Sequence, residues 1–214
     1  MLAPTGPAGG FTIYQKNLWF RNAELPALAE DIISSGADVV TFQELSDRNK
    51  AILELLAKTY PHVHICDFSR WSDLAVLSRH PMRTGSQQCS PRRGLAAAQV
   101  ETDGGPIWVA SIHLPWPYPY DQAARLRLIE PMLAKMDGPV VIGADLNMFP
   151  VTRPSRRIAQ VSGTRELRPL RPTLFMRGRL PMFIDHVYAA SGRVERRPLL
   201  GSDHYGLVGH VQPN

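Results

Sequence analysis

A chain of 214 residues and 23.8 kDa is the size of one ordinary domain. With 44% hydrophobic and 20% charged residues it has the balance of a globular protein, which excludes a disordered one. The net charge of +5 conceals an asymmetry: residues 151–214 hold eleven arginines and no lysine against four acids, whereas residues 1–150 are slightly acidic. A guanidinium fork matches phosphate oxygens, so a polyanionic partner is expected, the plainer reading being arginine-rich solvated faces. No uncharged apolar run approaches the roughly 20 residues a membrane helix needs. Met1–Gly10 has neither a charged start nor an apolar stretch, so it does not read as a secretory signal. Cys66 and Cys89 are too few for a disulfide-stapled scaffold and are expected to be reduced and structural. The expectation is a cytoplasmic monomer, with an N-terminal extension over 1–10 and a single domain over 11–214.

In chain order, Phe11–Lys16 alternates apolar and polar residues and predicts a strand ending at Asn17. Asn22–Ser35 carries Leu25, Leu28, Ile32 and Ile33 at helical spacing, with Gly36 placed to stop the helix. Asp38–Phe42 is a buried-type strand running into Gln43 and Glu44. Asp47 is expected to cap a second helix with the stripe Ile52, Leu55 and Leu56. Short strands follow at His62–Cys66, Leu74–Ser78, Gly94–Glu101 and Ile107–His113, divided by Gly, Pro and Ser turns. Tyr120–Met136 is a third helix. Pro139–Gly143 is a second buried strand, leading into Asp145 and Asn147. A proline- and arginine-rich stretch to about Pro172 predicts a short helix and loop, and the strands Met182–Ala189, Val194–Leu199 and Tyr205–Val211 close the chain. Helices mixed with many consecutive strands fit antiparallel-rich sheets packed face to face with helices outside.

The residues able to carry chemistry fall at strand ends. Asn17 and Glu44 follow strands, His113 ends one, Asp145 and Asn147 leave another, Asp185 interrupts Phe-Ile-Asp-His-Val-Tyr, and Asp203 and His204 precede the last. Any one of these alone reads as a cap or turn residue, but together they can converge on one mouth of a sheet core. The set is rich in hard oxygen donors, which points to Mg²⁺ or Mn²⁺ rather than zinc or copper. A nucleophile-elbow serine, a P-loop and a dinucleotide fingerprint are all missing from the sequence. His62-x-His64 places two imidazoles on one strand face and could ligate a metal, but a solvent-facing strand side is the preferred reading. The Trp116-Pro-Tyr118-Pro-Tyr120 run reads either as a stacking rim or as an apolar brace for the third helix.

Seven segments occur in order: Asn17, Thr41-Phe42-Gln43-Glu44-Leu45, Leu74-Ala75-Val76-Leu77-Ser78-Arg79, Ser111-Ile112-His113-Leu114, Gly143-Ala144-Asp145-Leu146-Asn147, Ile184-Asp185-His186-Val187 and Ser202-Asp203-His204. On them the chain resembles the endonuclease/exonuclease/phosphatase (DNase I-like) superfamily over roughly residues 11–212. The resemblance implies an α/β fold, a four-layered α/β/β/α sandwich of two packed, mostly antiparallel sheets. It implies a Mg²⁺- or Mn²⁺-dependent phosphodiesterase using in-line attack by water. It further implies Glu44 as the principal metal ligand with Asn17 and Asp203 assisting, and Asp145 as the group that activates water. Asn147 would hold the nucleophile or a phosphate oxygen, His113 and His204 would flank the phosphate, and Asp185 would orient His204. The leading expectation is a nuclease on DNA or RNA, with Arg153, Arg156, Arg157 and Arg177 meeting backbone phosphates. The alternatives are a phosphatase or a phospholipid or inositol-phosphate phosphodiesterase, and, in a different class, a catalytically silent binding module. Leu18-Trp19-Phe20 stands where abasic-site enzymes carry an acid two residues after the asparagine, which argues against abasic-site repair.

Overall fold

In a computed structural model, the described residues run from 10 to 212. The expected extension over 1–10 therefore lies almost wholly outside them. The first half comprises β1 (Phe11–Asn17), α1 (Leu25–Ser34), β2 (Val39–Leu45), α2 (Ile52–Leu56), β3 (His62–Cys66), β4 (Asp73–Ser78), β5 (Gln88–Cys89), β6 (Leu95–Thr102) and β7 (Gly105–His113). The second comprises α3 (Gln122–Leu133), β8 (Val140–Asp145), α4 (Arg153–Val161), β9 (Arg165–Glu166), β10 (Leu174–Met176), β11 (Leu180–Met182), β12 (Asp185–Ala189), β13 (Ser191–Arg197) and β14 (Gly206–Gln212).

Two six-stranded sheets form, in the orders β13-β14-β1-β2-β4-β3 and β5-β6-β7-β8-β12-β9, with β10–β11 a separate hairpin. Each sheet has one parallel pair at its centre, β1–β2 and β7–β8. Each of those pairs is joined through a helix, as a parallel connection requires. The alternation along the central strands builds the layers. Ile13, Val39, Val109, Val141 and Val187 point between the sheets, where they meet Val76, Leu207 and Val211. Their neighbours Tyr14, Val40 and Phe42 face outward onto Leu28 and Ile32 of α1 and Ile52 and Leu56 of α2. On the other sheet Ala110, Ile142 and Ala144 face Leu126, Ile129 and Leu133 of α3 and Ile158 of α4. Strands buried on both faces are why Val-Val-Thr-Phe and Val-Val-Ile read as unbroken apolar runs. The architecture is the expected α/β/β/α sandwich. No helix among the described residues is long and apolar enough to cross a membrane.

Gly143 of β8 faces Thr41 and Gln15 of the other sheet across the interface between the two sheets. A Cβ there would sit 2.0 Å from Thr41 Oγ1 and 2.9 Å from Gln15 Cγ. Gly143→Ala is therefore expected to destabilise the fold by about 1–3 kcal/mol, read as a lower denaturant midpoint with unchanged slope.

Several local expectations are corrected. Asp47 does not cap α2; the helix begins after Ala51 without a side-chain cap, and Asp47 pairs instead with Lys50 and Arg70. Asn22 lies outside α1: its Oδ1 accepts from the Glu24 N–H and its Nδ2 donates to Leu200 O. The third helix starts later than expected, where Asp121 accepts from the Ala124 N–H. The strand expected over Met182–Ala189 is interrupted at Phe183–Ile184, because β11 turns aside to pair with β10. Cys66 and Cys89 are not reduced but joined in a disulfide, which links β3 and β5, the edge strands of opposite sheets.

Candidate active site

The topology brings the strand-end residues together. Asn17 and Glu44 lie at or near the C-terminal ends of the parallel pair β1–β2, and His113 and Asp145 end the parallel pair β7–β8 in register with each other. Asp185 opens the antiparallel β12 directly opposite Asp145, and His204 precedes β14, which runs antiparallel to β1. All six therefore sit at one end of both sheets. Two of the carriers have backbones that ordinary residues avoid: Glu44 has φ +56° and Asn147 φ +48°. At Glu44 the β2–β4 register shifts between Phe42 and Leu45, a bulge that re-aims the carboxylate.

Asn17 Nδ2 donates to both Asp145 Oδ2 (2.8 Å) and Glu44 Oε1 (3.2 Å), while its Oδ1 accepts from the Trp19 N–H. Because the Trp19 amide and the two carboxylates fix which end is which, Asn17 turns its NH₂ group, not its oxygen, toward the cleft. Glu44 Oε2 accepts from the Phe20 N–H, and Asp145 Oδ1 from the Asn147 N–H. His204 Nδ1 lies 2.7 Å from Asp185 Oδ2. His113 Nε2 is 3.6 Å from Asp145 Oδ2 and 4.0 Å from Glu44 Oε1.

Burial and neighbouring charge divide these groups. Burial works to lower the His204 pKa, but the charge and hydrogen bond of Asp185, helped by Asp145 and Asp203, overcome it and hold the imidazole up at about 10. Burial pulls His113 down to about 3, with the charges of Arg93 and His204 adding, so that ring is neutral. Burial also pushes Glu44 up against the hydrogen bond from Asn17. It pushes Asp145 up as well, with Asp185 adding to the effect. The cleft thus holds one fixed imidazolium, one neutral imidazole and a group of crowded carboxylates.

A polar floor supports the set. Gln15 Nε2 donates to Gln43 Oε1 and to Asp185 Oδ1, crossing from one sheet to the other. Gln43 Nε2 donates to Ser111 Oγ, and Ser111 donates to Phe42 O. Lys16, wholly buried, donates to Pro198 O, Leu199 O and His204 O, tying down the loop that carries Asp203 and His204. Burial lowers the Lys16 pKa to about 7 against the opposing charges of Asp185, Asp31 and Asp203.

Glu44, His113, Asp145, Asn147, Asp203 and His204 line one cleft, and Asp185 stands behind His204. Asp203 is half exposed and 4.0 Å from His204 Nε2. The arginines divide differently. Arg153 and Arg157 line an adjoining groove with Arg127 and Tyr120, where Arg157 pairs with Glu130. Arg156 is exposed on α4, and Arg177 is exposed at the tip of the β10–β11 hairpin. Sequence reasoning missed Arg93, which lines the cleft itself beside Trp116 and Tyr120. Nothing in its immediate sequence marks it: Arg92-Arg93-Gly94 stands just before β6, an interior strand of its sheet. Gln15 and Lys16 were missed too, since mid-strand polar residues read there as a solvent face.

A model of the endonuclease/exonuclease/phosphatase family matches residues 15–204. The chain belongs to that family. The family's phosphoester hydrolases generally use divalent metals, and the chain is an enzyme of that type. No curated protein sequence matches it. Solved structures similar to it include an endonuclease/exonuclease/phosphatase from Beutenbergia cavernae, at 19% identity and TM-score 0.73, covering 96% of this chain and 72% of that one. Truncated TDP2 from Caenorhabditis elegans aligns at 14% identity and TM-score 0.74, covering 95% and 98%. The human Nocturnin catalytic domain with bound sulfate aligns at 14% identity and TM-score 0.71, covering 95% and 93%. At such identities the likeness is one of fold, with the family's two-sheet core common to all.

Proposed function

We propose that this cleft hydrolyses phosphodiester bonds in a nucleic acid, DNA or RNA, with Mg²⁺ or Mn²⁺ held among its carboxylates. The observation that carries the reading is the His204–Asp185 pair, a charged donor held beside Asp145 at the mouth of the two sheets.

The donor set suits a hard divalent cation. Glu44, Asp145 and Asp203 offer carboxylate oxygens to one cleft, and burial pushes the first two toward protonation, a cost that a cation among them offsets. Glu44 and Asp203 would hold the ion, with Asn17 steadying Glu44 through its NH₂ group rather than ligating. Bound there, the ion would neutralise charge on the phosphoryl and leaving oxygens. In this scheme the chain's own groups do the rest. His204, kept protonated by Asp185, donates to a phosphoryl oxygen as charge builds on it. Asp145 accepts the proton of the attacking water, Asn147 orients that water, and neutral His113 flanks the phosphate.

Nucleic acid is favoured by the line of arginines leading away from the cleft: Arg93 at its edge, then Arg127, Arg153 and Arg157 beyond Tyr120. The test is a panel of supercoiled plasmid, labelled single-stranded DNA and RNA, sphingomyelin vesicles and phosphoinositides, each with Mg²⁺, with Mn²⁺ and with chelator. Nucleic-acid cutting that disappears with chelator and weakens steeply with salt is the expected result. Release confined to lipid or inositol phosphates would replace the nuclease reading with the phosphatase one. No turnover on any of these substrates would contradict the proposal.

A further inference from the structure

The second histidine-bearing motif has a different environment from the one its sequence suggests. On β3 the residues exposed to solvent are Val63 and Ile65, while His62, His64 and Cys66 share the inward face. That face looks across to β5 of the other sheet, where Cys89 sits. His64 Nε2 lies 3.4 Å from Cys66 Sγ and 3.7 Å from Cys89 Sγ. The carbonyl oxygen of Gln88 lies 3.1 Å from His64 Nε2 and 3.4 Å from Cys66 Sγ. Three soft or borderline donors and one carbonyl thus meet at the seam where the two sheet edges come together.

We propose that, with its cysteines reduced, this seam is a binding site for a soft divalent cation of the Zn²⁺ class, held by His64 Nε2, Cys66 Sγ and Cys89 Sγ. Tetrahedral zinc with ordinary Zn–S and Zn–N bonds sets its nitrogen and sulfur ligands roughly 3.6 Å apart. The two N···S separations, 3.4 and 3.7 Å, bracket that value. Reduction by a dithiol supplies two electrons to the sulfur–sulfur bond and a proton to each sulfur, and the reductant leaves as its own disulfide. The freed sulfurs then move apart to non-bonded contact, which supplies the remaining edge. Metal binding displaces a proton from each thiol and takes His64 as the Nδ1–H tautomer, releasing its Nε2 from the Gln88 carbonyl. That carbonyl or a water takes the fourth position. The site is separate from the carboxylate cleft and differs from it in chemistry: two sulfurs and an imidazole select zinc, where the cleft's oxygens select magnesium or manganese.

The chain has only two cysteines, so a thiolate-to-cobalt charge-transfer band reports this seam and nothing else. Protein reduced with dithiothreitol, desalted anaerobically and titrated with Co²⁺ should develop that band at one equivalent, and Zn²⁺ should abolish it. Oxidised protein should show none. His64→Ala should weaken Zn²⁺ binding at least about tenfold in competition with a chromophoric chelator. A folded, reduced protein without the band would overturn the proposal, as would a His64→Ala variant binding zinc as tightly as the parent. Circular dichroism run alongside guards the remaining case: reduced protein that unfolds with or without metal also contradicts the site.

Discussion

Replacing His204 with alanine should lower turnover about a hundred- to a thousandfold while leaving a cooperative melting transition. The size of the effect follows from the pairing. Asp185 is wholly buried and spends one carboxylate oxygen on His204 Nδ1 and the other on Gln15 Nε2, so the imidazole is fixed in place, tautomer and charge together. Asp185→Asn keeps the shape but loses the charge that holds His204 protonated, and should cost nearly as much. The two substitutions combined should cost little more than either alone, because they remove one unit. Single-turnover hydrolysis of a labelled substrate by the four proteins of the cycle measures this. Additive losses would mean that Asp185 does not act through His204.

Asp145→Ala should remove about three orders of magnitude of turnover with a folding stability within about 1 kcal/mol of the parent. Its loss deprives Asn17 Nδ2 and the Asn147 N–H of their acceptor, which destabilises. It also removes a buried carboxylate crowded by Asp185, which stabilises. Activity and stability therefore separate at this position. Denaturant unfolding beside the kinetic assay checks the pair of values. A variant that retained turnover would remove Asp145 from the chemistry, and a large loss of stability would show that the carboxylate is chiefly structural.

The layers and the cleft were legible in the sequence for one physical reason. A strand buried on both faces is an apolar run, and a polar group at its end has to be either capped or used. Asp145 after Val-Val-Ile-Gly and Glu44 after Val-Val-Thr-Phe stand out on those grounds, and the topology sets them at one end of the sandwich. The polar floor was not legible. Gln15 sits mid-strand, where alternation predicts solvent, yet it bridges two sheets, and nothing local marks a strand whose other face meets a second sheet. Arg93 was hidden in the same way, since its approach to the cleft depends on the ends of β6 and β7 rather than on its neighbours in sequence. The cysteines, separated by 23 positions, fall on edge strands of different sheets, and only the packing of those sheets brings them together. The second helix was legible from its apolar stripe though not its start, while the strands of the β10–β11 hairpin are too short for periodicity to specify.

In the proposed function the carboxylate cleft is where divalent metal supports hydrolysis. The most direct test is the rate of phosphodiester cleavage against Mn²⁺ concentration for the parent protein and for Glu44→Ala. The parent should give a saturable curve, abolished by chelator, and the variant at least about a tenfold higher half-saturating concentration. Superimposable curves would contradict the proposal, because the metal would then act without Glu44.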